Sequence, residues 1–226
     1  PVLFIGDEGQ LPPVGDPFNV LDNPELRLTK IHRQAKGNPI IHLSMLAREK
    51  KTIELKKYGE NALVIGKNQL TTEQLEKLYT RSDQIICGRN NTRKKINTAT
   101  RKALGFKTPN PEKGDKIICL KNNWDYVIED FPLINGSIGY IEKINSSQVR
   151  SIKKEDKGKE SYSITFKPDY TKEQSFTNLM VLKNDFLGKK TILKGKDFYV
   201  YDRFDYGYAI TAHKSQGSQF ENVLVF

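Results

Sequence analysis

The chain begins with a short unbroken apolar run, Val2 to Ile5, that ends at Gly6-Asp7. Such a run is expected of a strand buried on both faces of a parallel sheet. Turn-forming residues from Gly6 to Val14 then make a loop. Asp16-Pro17 sets an N-cap before a proline at the first helical position, so a short helix is predicted there. Leu26–Lys30 reads as a second strand. Asn38-Pro39 opens a longer helix whose Ile40, Ile41, Leu43, Met45, Leu46 and Ala47 form one broad apolar face. Thr71 and Gln74 have capping-box spacing for a helix to about Arg81. Gln84–Gly88 is another buried strand, and Asn91–Leu104 a basic helix closed by Gly105. Strand, loop and helix therefore alternate up to residue 105, the pattern of an α/β layered sheet.

After that the pattern changes. Short strands are expected at Lys116–Lys121, Ile138–Ile144, Tyr162–Phe166, Phe176–Leu182 and Phe198–Tyr201, with a tight turn at Asn135-Gly136 and no helix. This predicts a small all-β insertion of barrel type. Trp124, Tyr126 and Phe131 fall in the loop between the first two strands. They could stack on bases, but packing in the barrel core is the preferred reading. The α/β layer resumes with a strand over Tyr206–Thr211, a loop or helix start at His213–Gly217, and a strand over Val223–Phe226.

Composition narrows the class. The 226 residues carry 37 basic and 27 acidic side chains, a formal net charge of +10 that favours a polyanionic partner. Ten basic and two acidic residues lie between Arg89 and Lys121, so most of the excess sits there, where it can neutralise phosphates along a strand. Lysine supplies 28 of the basic residues, which suits an AT-rich coding genome, bacterial or phage. Cys87 and Cys119 sit in apolar runs without metal-ligand spacing and read as buried free thiols of a reducing, cytoplasmic compartment. No stretch has the roughly 18 apolar residues of a membrane span. The chain starts within an apolar run without an initiator Met, and a piece of a longer protein is expected.

Three segments carry chemistry. In Gly6-Asp7-Glu8-Gly9-Gln10-Leu11-Pro12-Pro13-Val14, a buried strand would deliver Asp7 and Gln10 to its C-terminal end, where open α/β sheets bind ligands. The neutral Gln10 amide can both donate and accept, which suits sensing a terminal phosphate or orienting a water. Arg33 follows the Leu26–Lys30 strand in Ile31-His32-Arg33-Gln34, and its planar cation suits charge building on a transferred phosphoryl group. Thr211, His213, Lys214 and Ser215 crowd the end of a strand, next to Gln216 and Gly217, and are suited to phosphate contacts.

Together these segments resemble superfamily 1 helicases of the RecD, Dda and Pif1 groups. GDEGQLPPV looks like motif III, HRQ like motif IV and TAHKSQG like motif V. Pro111 to Asn122, followed by Asn135-Gly136-Ser137-Ile138-Gly139, is similar to the passage leading into the Src-homology-3-like barrel of that group. The resemblance implies a RecA-like parallel sheet with a small inserted Src-homology-3-like β-barrel. Residues 1–30 would end a first RecA-like domain, 31–115 and 202–226 would form most of a second, and 116–201 would be the barrel.

It further implies ATP and Mg²⁺ as cofactors, with Gln10 and Arg33 as catalytic residues at the γ-phosphate. Asp7, Gln216 and Gly217 would lie toward the nucleotide. Single-stranded DNA would be held by Thr211, His213, Lys214, Ser215, Arg89, Asn90 and Arg93. The implied activity is ATP-driven movement on single-stranded DNA, 5′ to 3′ by the habit of the group. Nuclease or replication and repair subunits are further candidate partners. The sequence contains no G-x-x-x-x-G-K-[ST] phosphate loop, so the chain by itself is not expected to hydrolyse ATP. Three other readings stay open: the motor subunit of a helicase–nuclease complex, a non-enzymatic DNA-binding module, and an RNA helicase.

Overall fold

The computed structural model describes residues 2–3, 5–7, 10–11, 25–27, 38–147, 160–189, 191–193, 195 and 197–226. The chain divides into two compact units, Pro1–Thr71 and Thr72–Phe226. Arg33, with His32 and Gln34, lies outside the described residues, as do the helix expected at Asp16-Pro17 and Leu28–Lys30.

In the first unit, helix α1 spans Pro39–Arg48 and starts as the sequence predicts. The Asn38 side chain accepts from the Ile40 amide at 2.9 Å, and Pro39 fills the position that needs no amide hydrogen. A two-stranded ribbon follows, β1 (Lys57–Tyr58) paired antiparallel with β2 (Ala62–Leu63). Tyr58 is buried, and its hydroxyl exchanges hydrogen bonds with the Glu54 backbone. The described residues of the apolar run at the start are not in a buried strand. Val2, Leu3 and Ile5 are exposed and carry no strand pairing, and Leu26 is exposed as well. An apolar run becomes an inner strand only where neighbours take its amides and cover its faces.

The second unit has two sheets. Helix α2 (Thr72–Arg81), strand β3 (Gln84–Cys87) and helix α3 (Asn90–Ala103) match the expected helix–strand–helix order. Strand β3 is the middle of a three-stranded parallel sheet, between β11 (Ala209–Thr211) and β12 (Val223–Val225). Tyr79, Ile85, Cys87, Ile96 and Ala209 form the core between this sheet and its helices.

The larger sheet is antiparallel. It joins β4 (Lys116–Cys119), β7 (Ile138–Ser147), β8 (Ser161–Pro168), β9 (Phe176–Leu182) and β10 (Phe204–Tyr206) in the order β10-β4-β7-β8-β9. A bridge between Val181 of β9 and Asp202, just ahead of β10, links the two ends of that order. The core is aromatic: Phe166 packs edge-on to Phe204 at 5.1 Å and stacks with Phe176 at 6.3 Å. A third cluster, Ile118, Ile138 and Ile210, draws on both sheets.

Several local expectations change here. The loop after β4 contains a hairpin, β5 (Asn123–Ile128) with β6 (Phe131–Leu133). Tyr126 packs partly against the core, as preferred, but Trp124 and Phe131 are 66% and 58% exposed. The pairing register shifts between Asn123 and Val127, which breaks the alternation that would set Trp124 on the face of Tyr126, and the exposed Phe131 ring lies 5.8 Å from that of Tyr170. Phe198–Tyr201 is not a strand. Helical turns form at Lys183–Phe186 (α4) and Asp197–Val200 (α5), where no helix was expected.

The expected single strand over Tyr206–Thr211 is two. Its start closes the antiparallel sheet as the end of β10, and its end enters the parallel sheet as β11. Gly207 makes the switch, where a Cβ would stand 2.9 Å from the Ile117 carbonyl carbon. Gly139 is needed for the same reason in β7, since a Cβ there would stand 2.0 Å from the Lys167 carbonyl oxygen.

Candidate nucleic-acid interface

Strands β3 and β11 run parallel as neighbours, with Cys87 opposite Thr211. Both chains therefore leave the sheet at the same edge. Gly88-Arg89-Asn90 follows β3 into α3, and Ala212–Ser215 follows β11 as a single helical turn, α6. Arg89, Asn90 and His213 are exposed, while Thr211, Lys214 and Ser215 are half-buried. The C-terminal edge of an open parallel sheet is where such folds take up ligands.

Buried amide side chains hold this edge in register. Asn97 of α3 donates to the Tyr206 and Ala209 carbonyls at 3.1 and 3.2 Å and accepts from the Ala209 amide at 2.7 Å. It thus reproduces a strand's pattern and clamps the start of β11. Gln84 of β3 donates to the Gly207 and Tyr208 carbonyls, both at 3.0 Å.

Lys214 is held from the other sheet. Its ammonium donates to the Asn135 side chain at 2.5 Å, and the Asn135 amide donates to Asn122 Oδ1 at 2.7 Å. Burial pushes the Lys214 pKa below its ordinary value, so the cation is poorly solvated and gains by meeting an anion. The turn before β7 was legible only as a tight turn, and its contact with Lys214 was missed.

The basic cluster does not act as one surface. Arg93 lies 2.9 Å from Asp205 in a largely buried ion pair, and its Nε donates to Asn90 Oδ1 at 3.2 Å. Arg101 is buried and forks onto Asp115 at 2.7 and 2.9 Å, with further bonds to the Thr108 and Asn110 carbonyls. Tyr208 donates to the same carboxylate at 2.9 Å. Burial opposes the charged guanidinium, but the Asp115 carboxylate outweighs it and the Arg101 pKa is raised. Lys116 is buried too. It donates to the Asp83 carbonyl, and burial lowers its pKa. Arg101 and Lys116 are therefore structural cations. Arg89 stays exposed where β3 leaves the sheet.

In the first unit, Asp7 and Gln10 share one exposed turn, with the Gln10 amide donating to the Asp7 carbonyl at 3.1 Å. Arg48 holds the Asp7 carboxylate at 3.3 Å. Among the described residues no group of three or more His, Cys, Asp or Glu side chains converges. Gln216 and Gly217 are exposed beyond α6, Gly217 with φ of 81°. No described helix is long and apolar enough to cross a membrane.

The second unit thus joins a parallel α/β sheet to an antiparallel one. No family model matches the chain. Among solved structures it is similar to a Pif1 helicase from Bacteroides in complex with ADP-AlF3 and single-stranded DNA, at 17% identity and a TM-score of 0.46, over 88% of this chain and 45% of that one. It is also similar to a Pif1 helicase from Candida albicans, at 14% identity and a TM-score of 0.37, over 71% of this chain and 43% of that one. The chain spans less than half the length of these two structures.

Proposed function

We propose that this chain is part of an ATP-driven superfamily 1 helicase of the RecD, Dda and Pif1 side, and that its second unit grips single-stranded DNA. One observation carries the DNA reading: the Arg89-Asn90 and Thr211–Ser215 segments leave neighbouring parallel strands at one edge. Hydroxyl, imidazole, amine and guanidinium groups on one edge suit a row of phosphates, which fix position without reading sequence. In this reading Arg89, Lys214 and the Thr211 and Ser215 hydroxyls take phosphates. His213 joins them, Asn90 borders the path, and Arg93 braces the helix start through Asp205.

The nucleotide half rests on the motif resemblances. Gln10 and Arg33 would act at the γ-phosphate of ATP-Mg²⁺, and Asp7, Gln216 and Gly217 would each contribute to nucleotide binding. Movement of the nucleotide cleft would reach DNA through the segment after β11. The proposed domain plan keeps residues 116–201 as a Src-homology-3-like barrel. The five antiparallel strands and the Val181–Asp202 bridge support that plan. Direction of movement, 5′ to 3′, is part of the proposal.

Fluorescence anisotropy with a labelled single-stranded oligonucleotide tests the DNA reading. Affinity that falls as salt rises supports it, and salt-independent binding or none contradicts it.

A further inference from the structure

A second groove lies along helix α3, away from the edge described above. Its volume is about 460 Å³, and it is walled by α3, the Phe106–Pro109 loop, the turn after α4 and strand β10. That size falls within the usual range for ligand pockets, roughly 300–1,000 Å³. Three exposed lysines rim it: Lys94, Lys102 and Lys107. Phe186 and Tyr206 form its apolar floor and are themselves nearly covered. The acidic groups that line or back it are already engaged. Asp205 pairs with Arg93, Asp115 with Arg101, and the Glu112 carboxylate lies 4.0 Å from Arg101. The rim therefore presents uncompensated positive charge over an apolar floor.

We infer that this groove docks an acidic peptide segment of a partner protein through one aromatic or aliphatic anchor. Charge complementarity selects an anion, and two features favour a peptide over a nucleic-acid strand. First, the Arg101 guanidinium lies over one face of Phe106 and of Tyr206, at 4.9 and 4.3 Å, and Tyr206 is itself nearly covered, which leaves little ring for a base to stack on. Second, the lining runs toward the C-terminal end of α3. Lys102 lies about 20 Å along the helix from Arg89 at the rise of an α-helix. An extended acidic segment laid along α3 can reach Lys94 and Lys102 while its anchor enters between Phe106 and Leu187.

The test uses the full chain and a fluorescein-labelled acidic peptide with one central phenylalanine, read by anisotropy. The Lys102→Glu/Lys107→Glu double variant changes only exposed side chains. It should weaken peptide binding at least about tenfold. Replacing the peptide's phenylalanine with alanine should weaken it comparably, while a labelled single-stranded oligonucleotide should bind the variant and the parent chain alike. Peptide affinity indifferent to either change overturns the proposal. So does an equal loss of oligonucleotide affinity in the double variant, which would assign the groove to the DNA path.

Discussion

The Lys214 ammonium donates a 2.5 Å hydrogen bond to Asn135 Oδ1, across 79 residues of chain. The amine follows a parallel strand and the amide sits in the turn before β7 of the antiparallel sheet, so the contact ties the two sheets at the proposed DNA edge. It aims a half-buried cation without neutralising it. Asn135→Ala should therefore weaken oligonucleotide binding by a few-fold and leave the salt dependence unchanged, because no charge is lost. Lys214→Ala should lower the slope of log affinity against log salt by about 0.7, the value for one phosphate contact on a single strand. Anisotropy titrations at several salt concentrations separate the two effects.

Arg101 and Asp115 form the buried joint between α3 and β4. Removing one partner of such a pair leaves the other charge uncompensated. Asp115→Ala should cost about 3–5 kcal/mol in urea unfolding at neutral pH, and Tyr208→Phe, which removes one bond to the same carboxylate, about 1 kcal/mol. A loss below about 1 kcal/mol for Asp115→Ala would contradict a structural role for this pair.

Close backbone approach at Gly139 and Gly207 gives a rank order. Gly139→Ala drives a methyl against the Lys167 carbonyl oxygen, whereas Gly207→Ala meets the Ile117 backbone at a longer distance. Both should destabilise, Gly207→Ala by about 2 kcal/mol and Gly139→Ala by more. Thermal unfolding of the two variants checks the order.

Burial pushes the Cys119 thiol from 9.0 up to about 12. The unfolded thiol ionises first, so between these values the folded chain binds more protons and stability falls as pH rises. The contribution is complete below pH 9 and is lost toward pH 12, to a total of up to about 4 kcal/mol. Urea midpoints at pH 8 and pH 11 should drop less in Cys119→Val than in the parent chain. An identical drop would show that the thiol is not held in its neutral form.

Local signals sufficed for α1, α2, β3 and α3. Asn38-Pro39 capped the first, and an apolar run bounded by polar turns marked β3. The edge formed by β3 and β11 was legible only in part, because strand adjacency is a tertiary fact. Nothing within Tyr206–Thr211 says that its start pairs with β4 and its end with β3. The hairpin of Trp124 and Phe131 was missed because Asp, Asn and Pro interrupt its alternation. Its turn rests on Glu129 and Asp130 in the left-handed region. Arg101 could have been found. Ile96, Asn97, Thr100 and Arg101 are buried together on one face of α3, and a polar residue on an inward face demands a partner. Counting it as surface charge inflated the phosphate-binding cluster.

The most direct test of the DNA edge is the Arg89→Ala/Lys214→Ala double variant, titrated with a labelled single-stranded oligonucleotide across a range of salt. The parent chain should bind more weakly as salt rises, and the variant should lose at least about tenfold in affinity, with a slope shallower by about 1.4, two contacts at the single-strand value. Affinity and slope identical to those of the parent chain would contradict the proposed DNA edge.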